Sequence, residues 1–357
     1  MKLALSNLAL PAFHHLSLLP HVRALGVEGL EIAPDHTWSA PGLGKAFSAT
    51  DVSVYGRAAG LAGLEIIGMH ALIGGRPEFG ILEDLETRKR TLDHLVHLSA
   101  VCRDLGGRTL ILDSRWRGEM SERAAWFEMR DFLERLLPSI EDHGTVLCFA
   151  PLGPGEGDFC RKAAENYMLV NAIDHPSFGL HLSSAGLTAN GENGHAHFAA
   201  ARGRLELFHI DEPGRVPIGS SGAIDHVDMR RHLSASTYDG WVSIVQRFRR
   251  NEPAMDVLMD SVRFFHETYL KATAPADHPG AEDDRLRIIV DTLNAIRPEV
   301  LAHGGDVELV AVKGPRIEVR LSGQCRRCAR AGQTLGDIRH KLATALAAPV
   351  MVARISA

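Results

Sequence analysis

Up to residue 270, short apolar runs alternate with amphipathic stretches along the chain. The runs are bounded by Gly, Pro or Asp and read KLALS, GLEIA, EIIGMH, RTLILDS, VLCFA, FGLHLS, LELFHI and WVSIVQ. Between two of them, residues 85–106 carry Leu92, Leu95, Leu98 and Val101 near helical spacing, and this spacing predicts a helix. Strands that alternate with helices predict an α/β protein with a parallel sheet. Eight of them favour a (β/α)8 TIM barrel over residues 1–270, with an open doubly wound sheet as the alternative.

The pattern stops at residues 271–284, KATAPADHPGAEDD, where small, acidic and Pro/Gly residues predict a linker. Residues 285–357 then form a different series. A helical stretch ending near residue 303 precedes two alternating strands, DVELVAVKG and RIEVRLSG. A second helix opens at Thr334, and VMVARIS is compatible with a last short strand. We therefore predict a small α+β domain of α-β-β-α order after the barrel.

Composition limits the function classes. The chain has 357 residues and a formal net charge of −5 without a basic block, so nucleic acid is not an expected partner. No apolar run approaches the roughly 18 residues that a membrane helix needs, and the N-terminal residues lack the pattern of a signal peptide. These features predict a soluble cytoplasmic protein. In a reducing compartment, the spacing Cys325-x-x-Cys328 points to metal binding or redox chemistry and away from a disulfide framework.

The stretches RPEVLAHGGDVELVAV and VRLSGQCRRCARAGQTL resemble the C-terminal domain of the NifU iron–sulfur scaffold proteins. The resemblance covers residues 286–346 and implies that Cys325 and Cys328 ligate an Fe–S cluster of the [4Fe–4S] type. Since two thiolates cannot fill four ligand positions, the cluster would bridge two subunits of a homodimer. Client or donor proteins for Fe and S are then the implied partners.

The chemistry of the turn agrees with this expectation. Thiolates are the soft ligands that Fe–S clusters and zinc prefer, and cationic neighbours favour the thiolate form. The chain departs from the family where small residues and a Pro usually surround the second cysteine, because it has Arg327, Ala329 and Arg330 there. That departure makes the surface around the cysteines more basic. A redox role and an inert pair of thiols are the alternatives.

The first 270 residues resemble the xylose-isomerase-like TIM barrels, the sugar phosphate isomerase/epimerase superfamily. The resemblance rests on GLEIAP, EIIGMHALI, APLGPGEGDF, HPSFGLHLSSAG, FHIDEPGRVPIGSSGAIDH and YDGWVSIVQRF. It implies a site at the C-terminal ends of the strands, where Glu, Asp, His and Glu hold one divalent cation. At the matching positions this chain has Ala150, Ser183, His209 and Val245. Three of the four ligands are replaced, which predicts loss of the usual isomerase site and makes a divalent metal in the barrel doubtful.

Other residues are candidates for an altered site. His70, Asp113, Glu156 and His209 are candidate catalytic residues near strand ends, and His209 is also a residual metal ligand. A second set consists of candidate ligand-binding residues, because a Gly/Ser loop next to an arginine suits a phosphate or carboxylate. The members of this second set are Glu31, Arg215, Ser220 and Ser221.

Three hypotheses follow from these patterns. In the first, the chain binds, assembles or carries an Fe–S cluster, and the barrel recognises a client or a small sugar-like or phosphorylated ligand. In the second, the barrel is an isomerase- or epimerase-like enzyme with an altered site, and the tail is an accessory Fe–S or dimerisation module. In the third, a dimerising barrel carries an inert tail. The sequence favours the first hypothesis, and whether the chain is an enzyme stays open.

Overall fold

The computed structural model describes residues 1–12, 14–38, 48–270, 279–302, 305–313, 316–323, 331–346 and 350–355. Its contacts divide the chain into two units, residues 1–271 and 272–357. Among the helices that it describes, none combines the length and the apolar run needed to cross a membrane.

The first unit contains a closed parallel barrel, in which each strand pairs with the next and the last pairs with the first. This confirms the predicted barrel over the doubly wound alternative. The strands are β1 (Lys2–Ser6), β2 (Gly29–Ile32), β3 (Glu65–His70), β4 (Thr109–Leu112), β5 (Val146–Phe149), β6 (Phe178–Ser183), β7 (Leu205–Asp211) and β8 (Trp241–Val245).

Helices surround this barrel, and local sequence signals fix their ends. Ser48 and Asp51 form a capping box at the start of the third helix, and Gly63 ends that helix with a φ of 75°, which glycine adopts without steric cost. The predicted helix at residues 85–106 is observed at Leu85–Asp104. The helices are α1 (His15–Ala24), α2 (Pro34–Trp38), α3 (Ala49–Ala62), α4 (Leu85–Asp104), α5 (Glu122–Glu141), α6 (Ala163–Ile173), α7 (Ser184–Asn190), α8 (His195–Ala200), α9 (His226–Ala235) and α10 (Ala254–Phe265).

Strand alternation decides which side chains enter the barrel, because residues two apart share a face. On β8, Ser243 and Val245 face the interior, where Ser243 bonds Glu31 and Val245 lines a cavity. Gln246 faces outward and accepts a hydrogen bond from Ser261 of α10 at 2.7 Å. The inward residue at the end of the eighth strand is therefore Val245.

The second unit is an α-β-β-α-β fold. Its elements are α11 (Pro279–Ala302), β9 (Gly305–Lys313), β10 (Arg316–Gly323), α12 (Ala331–Ala345) and β11 (Met351–Arg354). The three strands form a sheet in the order β11-β10-β9. The predicted last strand, β11, is present and runs parallel to β10, whereas β9 and β10 are antiparallel. Its buried core includes Ile289, Leu293, Ile317, Val319 and Leu342.

Helix α11 begins inside the stretch that the sequence predicts as linker. Residues 279–284 are helical, and the proline at the first helical position suits a helix N-terminus. The second helix likewise begins at Ala331, before the predicted Thr334.

Candidate functional site

The C-terminal ends of the barrel strands surround a cavity of about 560 Å³. The structure brings five of the predicted site residues to its wall: His70, Asp113, Glu156, His209 and Arg215. They come from the ends of β3, β4 and β7 and from the loops that follow β5 and β7. This is the end of a TIM barrel at which binding and catalytic residues gather.

Glu31 does not line the cavity but lies beneath His209, fully buried. Its two carboxylate oxygens are 3.0 and 2.9 Å from Nε2 of His209, and Ser243 donates its hydroxyl to Glu31 at 2.8 Å. Burial raises the pKa of Glu31. Burial, aided by the charge of Arg215, lowers the pKa of His209 to about 3. Glu31 therefore orients His209. A ligand in the cavity would contact His209 but not Glu31, which does not line the cavity.

Three histidines, His70, His181 and His209, form what we call the histidine floor of the cavity. Nε2 of His70 bonds the hydroxyl of Ser6 at 2.7 Å, and burial lowers the pKa of His70 to about 3. His181 packs edge-on against His209 with ring centres 4.1 Å apart. His181 is 1% exposed, neither of its ring nitrogens has a partner among the described residues, and burial lowers its pKa well below 6.5. The floor is thus made of neutral imidazoles.

Asp113 and Arg215 face each other at the cavity wall, with 3.6 Å between Oδ2 and the guanidinium. Oδ1 of Asp113 is buried and has no partner in the described part of the chain. Burial raises the pKa of Asp113, and the charge of Arg215 partly opposes this shift. Arg215 has a φ of 53°, in the left-handed region that a non-glycine residue adopts only under strain. Arg215 is thus the arginine whose guanidinium approaches the Asp113 carboxylate.

Asp211 is a cavity residue that the sequence reasoning missed. Its carboxylate accepts hydrogen bonds from the Ser183 hydroxyl at 2.8 and 2.9 Å, from the Ser184 hydroxyl at 3.2 Å and from the backbone N–H of Ala185 at 2.9 Å. Burial raises its pKa to about 6 although these bonds act in the opposite direction. Strand alternation from His209 was the signal that could have found it.

Glu212 holds the Gly/Ser loop in place through hydrogen bonds of its carboxylate. It accepts the backbone N–H of Gly219 at 2.7 Å and the hydroxyl of Ser221, and Nε2 of His226 lies 2.8 Å from it. Ser220 donates to a backbone carbonyl of the same loop at 2.6 Å. The structure does not bring Ser220 and Ser221 to the cavity wall, since both hydroxyls are used inside the loop.

The residues at the four expected metal positions do not fit a divalent cation. Ala150 and Val245 have no side-chain donor atom, and the Ser183 hydroxyl is directed at Asp211. Within the described ranges, no three His, Cys, Asp or Glu side chains are grouped so that they could hold a metal ion. His209 is thus the one side chain at those positions that offers a common metal ligand, and its Nε2 is bound to Glu31.

Cys325 and Cys328 lie outside the described residues, between β10 and α12. The three remaining cysteines, Cys102, Cys148 and Cys160, are buried and free in the barrel. Burial raises the pKa of Cys102 and of Cys160 to about 12, so these thiols are protonated and unreactive.

The family model described as the xylose isomerase-like TIM barrel matches residues 19–268. The chain belongs to this family. The barrel is similar to D-psicose 3-epimerase from Clostridium cellulolyticum H10, solved with D-tagatose, with a TM-score of 0.64 and 16% identity over 75% of this chain and 99% of that one. At this identity the likeness supports the fold alone.

Residues 289–352 match the model of the NifU-like domain, so this xylose isomerase-like barrel carries a NifU-like tail. Nitrogen fixation protein NifU from Cereibacter sphaeroides is 41% identical over 76 residues, which are 21% of this chain and 31% of that protein. NifU 2 from Rhodobacter capsulatus is 30% identical over 113 residues, which are 30% of this chain and 80% of that protein. The chain thus spans about a third of the first relative and most of the second.

Proposed function

We propose that the chain binds, assembles or carries an Fe–S cluster on Cys325 and Cys328, and that its barrel is a degenerate sugar isomerase serving as a ligand- or client-binding module. The observation that carries this proposal is the NifU-like match over residues 289–352, which includes the C-x-x-C turn. The elements on either side of the turn, β10 and α12, belong to a unit with its own buried core.

The details of the cluster are part of the same proposal. Two thiolates per chain supply half the ligands of a [4Fe–4S] cluster, so we expect a cluster that bridges two chains in a homodimer. Fe–S donor and client proteins are the expected partners, and the cytoplasm is the expected compartment. The basic side chains beside the cysteines favour partners with an acidic docking surface.

The barrel part of the proposal rests on the four metal positions. Ala150, Ser183 and Val245 cannot hold the cation that the usual isomerase site requires, whereas the cavity itself is retained. A cavity with polar side chains but without the side chains to hold that cation suits binding better than metal-dependent isomerisation.

A second candidate function is an isomerase- or epimerase-like enzyme with an altered site. The observation that favours it is the convergence of His70, Asp113, Glu156 and His209 on one cavity. Retention of manganese or zinc by the barrel, together with turnover of a ketose, would favour this candidate over the first.

The test is anaerobic purification of the full chain, followed by assays of iron, acid-labile sulfide, zinc and manganese. We expect iron and sulfide in the wild type and their loss in the double variant Cys325→Ala/Cys328→Ala. Cys160→Ala is the matched control, because it removes a buried barrel cysteine and should keep the iron. Sedimentation should show a dimer when the cluster is present. Absence of iron and sulfide from the wild type after reconstitution would refute the proposal.

A further inference from the structure

The barrel cavity has charged groups of both signs, and the described residues around it form no metal ion's ligand set. Arg215 and Arg247 lie on adjacent loops after β7 and β8, joined by a backbone hydrogen bond of 2.8 Å, and both line the cavity. Asp113 and Glu156 line it from the loops after β4 and β5. A ligand that lies between these groups therefore meets guanidinium and carboxylate at once.

The closest opposite charges, on Arg215 and Asp113, are not directly hydrogen-bonded to each other, so a ligand that lies beside the pair can bond both. Arg215 and Asp113 are 3.6 Å apart, which is longer than the roughly 2.7–2.9 Å of a charge-assisted hydrogen bond. Oδ1 of Asp113 is buried and has no partner among the described residues, although buried acceptors are normally bonded. An ammonium group on Asp113 and a carboxylate on Arg215 would satisfy both side chains together.

His181 is a second, independent observation that points to a ligand. Its side chain lines the cavity, it is 1% exposed, and neither ring nitrogen has a partner in the described part of the chain. In the other two members of the histidine floor Nε2 has a hydrogen-bond partner, which is Ser6 for His70 and Glu31 for His209. His181 is therefore free to bond a polar group that reaches the floor.

Backbone strain adds to these two observations. Gly214 and Arg215 are consecutive residues with positive φ, 72° and 53°. The backbone of Arg215 is held at both ends, because its N–H donates to the Glu212 carbonyl and its carbonyl accepts from Arg247, both at 2.8 Å. A strained arginine held at a cavity wall is typical of a binding site.

We propose that this cavity binds a small zwitterion, an α-amino acid with a polar side chain, and binds it without a divalent metal ion. Its carboxylate lies on Arg215, its ammonium on Asp113, and its side chain reaches His181. The inference deepens and rests on the proposed role of the barrel as a ligand-binding module. An α-amino acid carries an ammonium and a carboxylate on one carbon and can make a charge-assisted hydrogen bond to each side chain, whereas a neutral sugar offers neither charge.

The test is calorimetric titration of the purified full chain in EDTA with the standard L-amino acids that have polar side chains. The tightest binder is then compared with its 2-hydroxy acid, which lacks the ammonium, and its amine, which lacks the carboxylate. D-psicose is titrated with and without Mn²⁺. We expect the amino acid to bind in EDTA, and each analogue to bind about 10- to 100-fold more weakly, as the loss of one charged hydrogen bond implies.

Variants locate the site. Asp113→Asn and Arg215→Gln should each weaken binding by a similar factor, whereas the control Arg130→Gln, in an exposed pair with Glu134, should not. Circular dichroism checks that the variants are folded. No amino acid binding in the wild type, equal binding of the hydroxy acid, or Mn²⁺-dependent binding of D-psicose alone would overturn the inference. The iron assay is separate, so failure of the proposed Fe–S role can be distinguished from failure of amino acid binding by the barrel.

Discussion

Replacing His181 with leucine tests whether the barrel holds the histidine floor neutral. His181 is 1% exposed, and neither ring nitrogen has a partner among the described residues. Burial lowers its pKa well below 6.5, so the folded chain binds fewer protons at this position than the unfolded chain. Stability from this source is complete above the unfolded pKa of 6.5. It is lost as the pH falls from 6.5 towards the lower pKa of the folded state.

The magnitude follows from proton binding to the unfolded imidazole. Between about pH 7.5 and about pH 5.5, protonation of a group with an unfolded pKa of 6.5 favours the unfolded state by about 1.4 kcal/mol. The wild type suffers this loss and His181→Leu does not. The difference in unfolding free energy between the two chains should therefore shift by that amount in favour of the variant at the lower pH. Comparing the two chains removes the opposing contribution of Glu31, Asp113 and Asp211, whose raised pKa values favour the folded state in acid.

The assay is urea unfolding followed by tryptophan fluorescence at both pH values. All four tryptophans lie in the barrel, so the signal reports its unfolding with the tail attached; they are Trp38, Trp116, Trp126 and Trp241. Phe208→Leu is the matched control, because it changes a buried neighbouring strand without removing a titrating group. A difference between His181→Leu and wild type that stays the same at both pH values would refute the reasoning.

Three further predictions concern packing. Arg115→Met should destabilise the barrel by about 3–5 kcal/mol in urea unfolding, because its buried guanidinium donates to three backbone carbonyls at 2.6–2.7 Å. Gly68→Ala should prevent stable folding, because the added Cβ would overlap the carbonyl and hydroxyl oxygens of Thr109. The control Gly60→Ala, which lies in a helix with open space around it, should raise the free energy of unfolding by up to about 1 kcal/mol. Ile317→Ala should lower the stability of the tail by about 2–5 kcal/mol in thermal unfolding of the full chain, because this side chain is fully buried.

The strands were predictable because their apolar runs are short and clearly bounded. All eight were placed from the sequence, and the long helix α4 followed from its leucine spacing. The limits of the tail helices were less predictable. Pro279 begins α11 inside a stretch whose composition is that of a linker, because proline and acidic residues suit both a linker and a helix N-terminus.

The candidate site was predictable in part. The sequence indicated His70, Asp113, Glu156, His209 and Arg215, because residues at the ends of parallel strands meet at one end of a barrel. The sequence could not show that these five residues line the cavity whereas Ser220 and Ser221 do not. A serine in a Gly/Ser loop has the same pattern whether its hydroxyl faces a ligand or an internal carboxylate such as Glu212.

By itself, the sequence determined where the strands lie along the chain, the replacement of three metal ligands and the C-x-x-C spacing, because these depend on residue type and spacing along the chain. Tertiary structure decided the pairings between distant strands. It placed Glu31 beneath His209, Asp211 on Ser183, and Arg215 next to Asp113, contacts that join residues far apart in sequence. Barrel closure brings these groups together, and burial sets their protonation. Neither the contacts nor the burial can be inferred from the local sequence pattern.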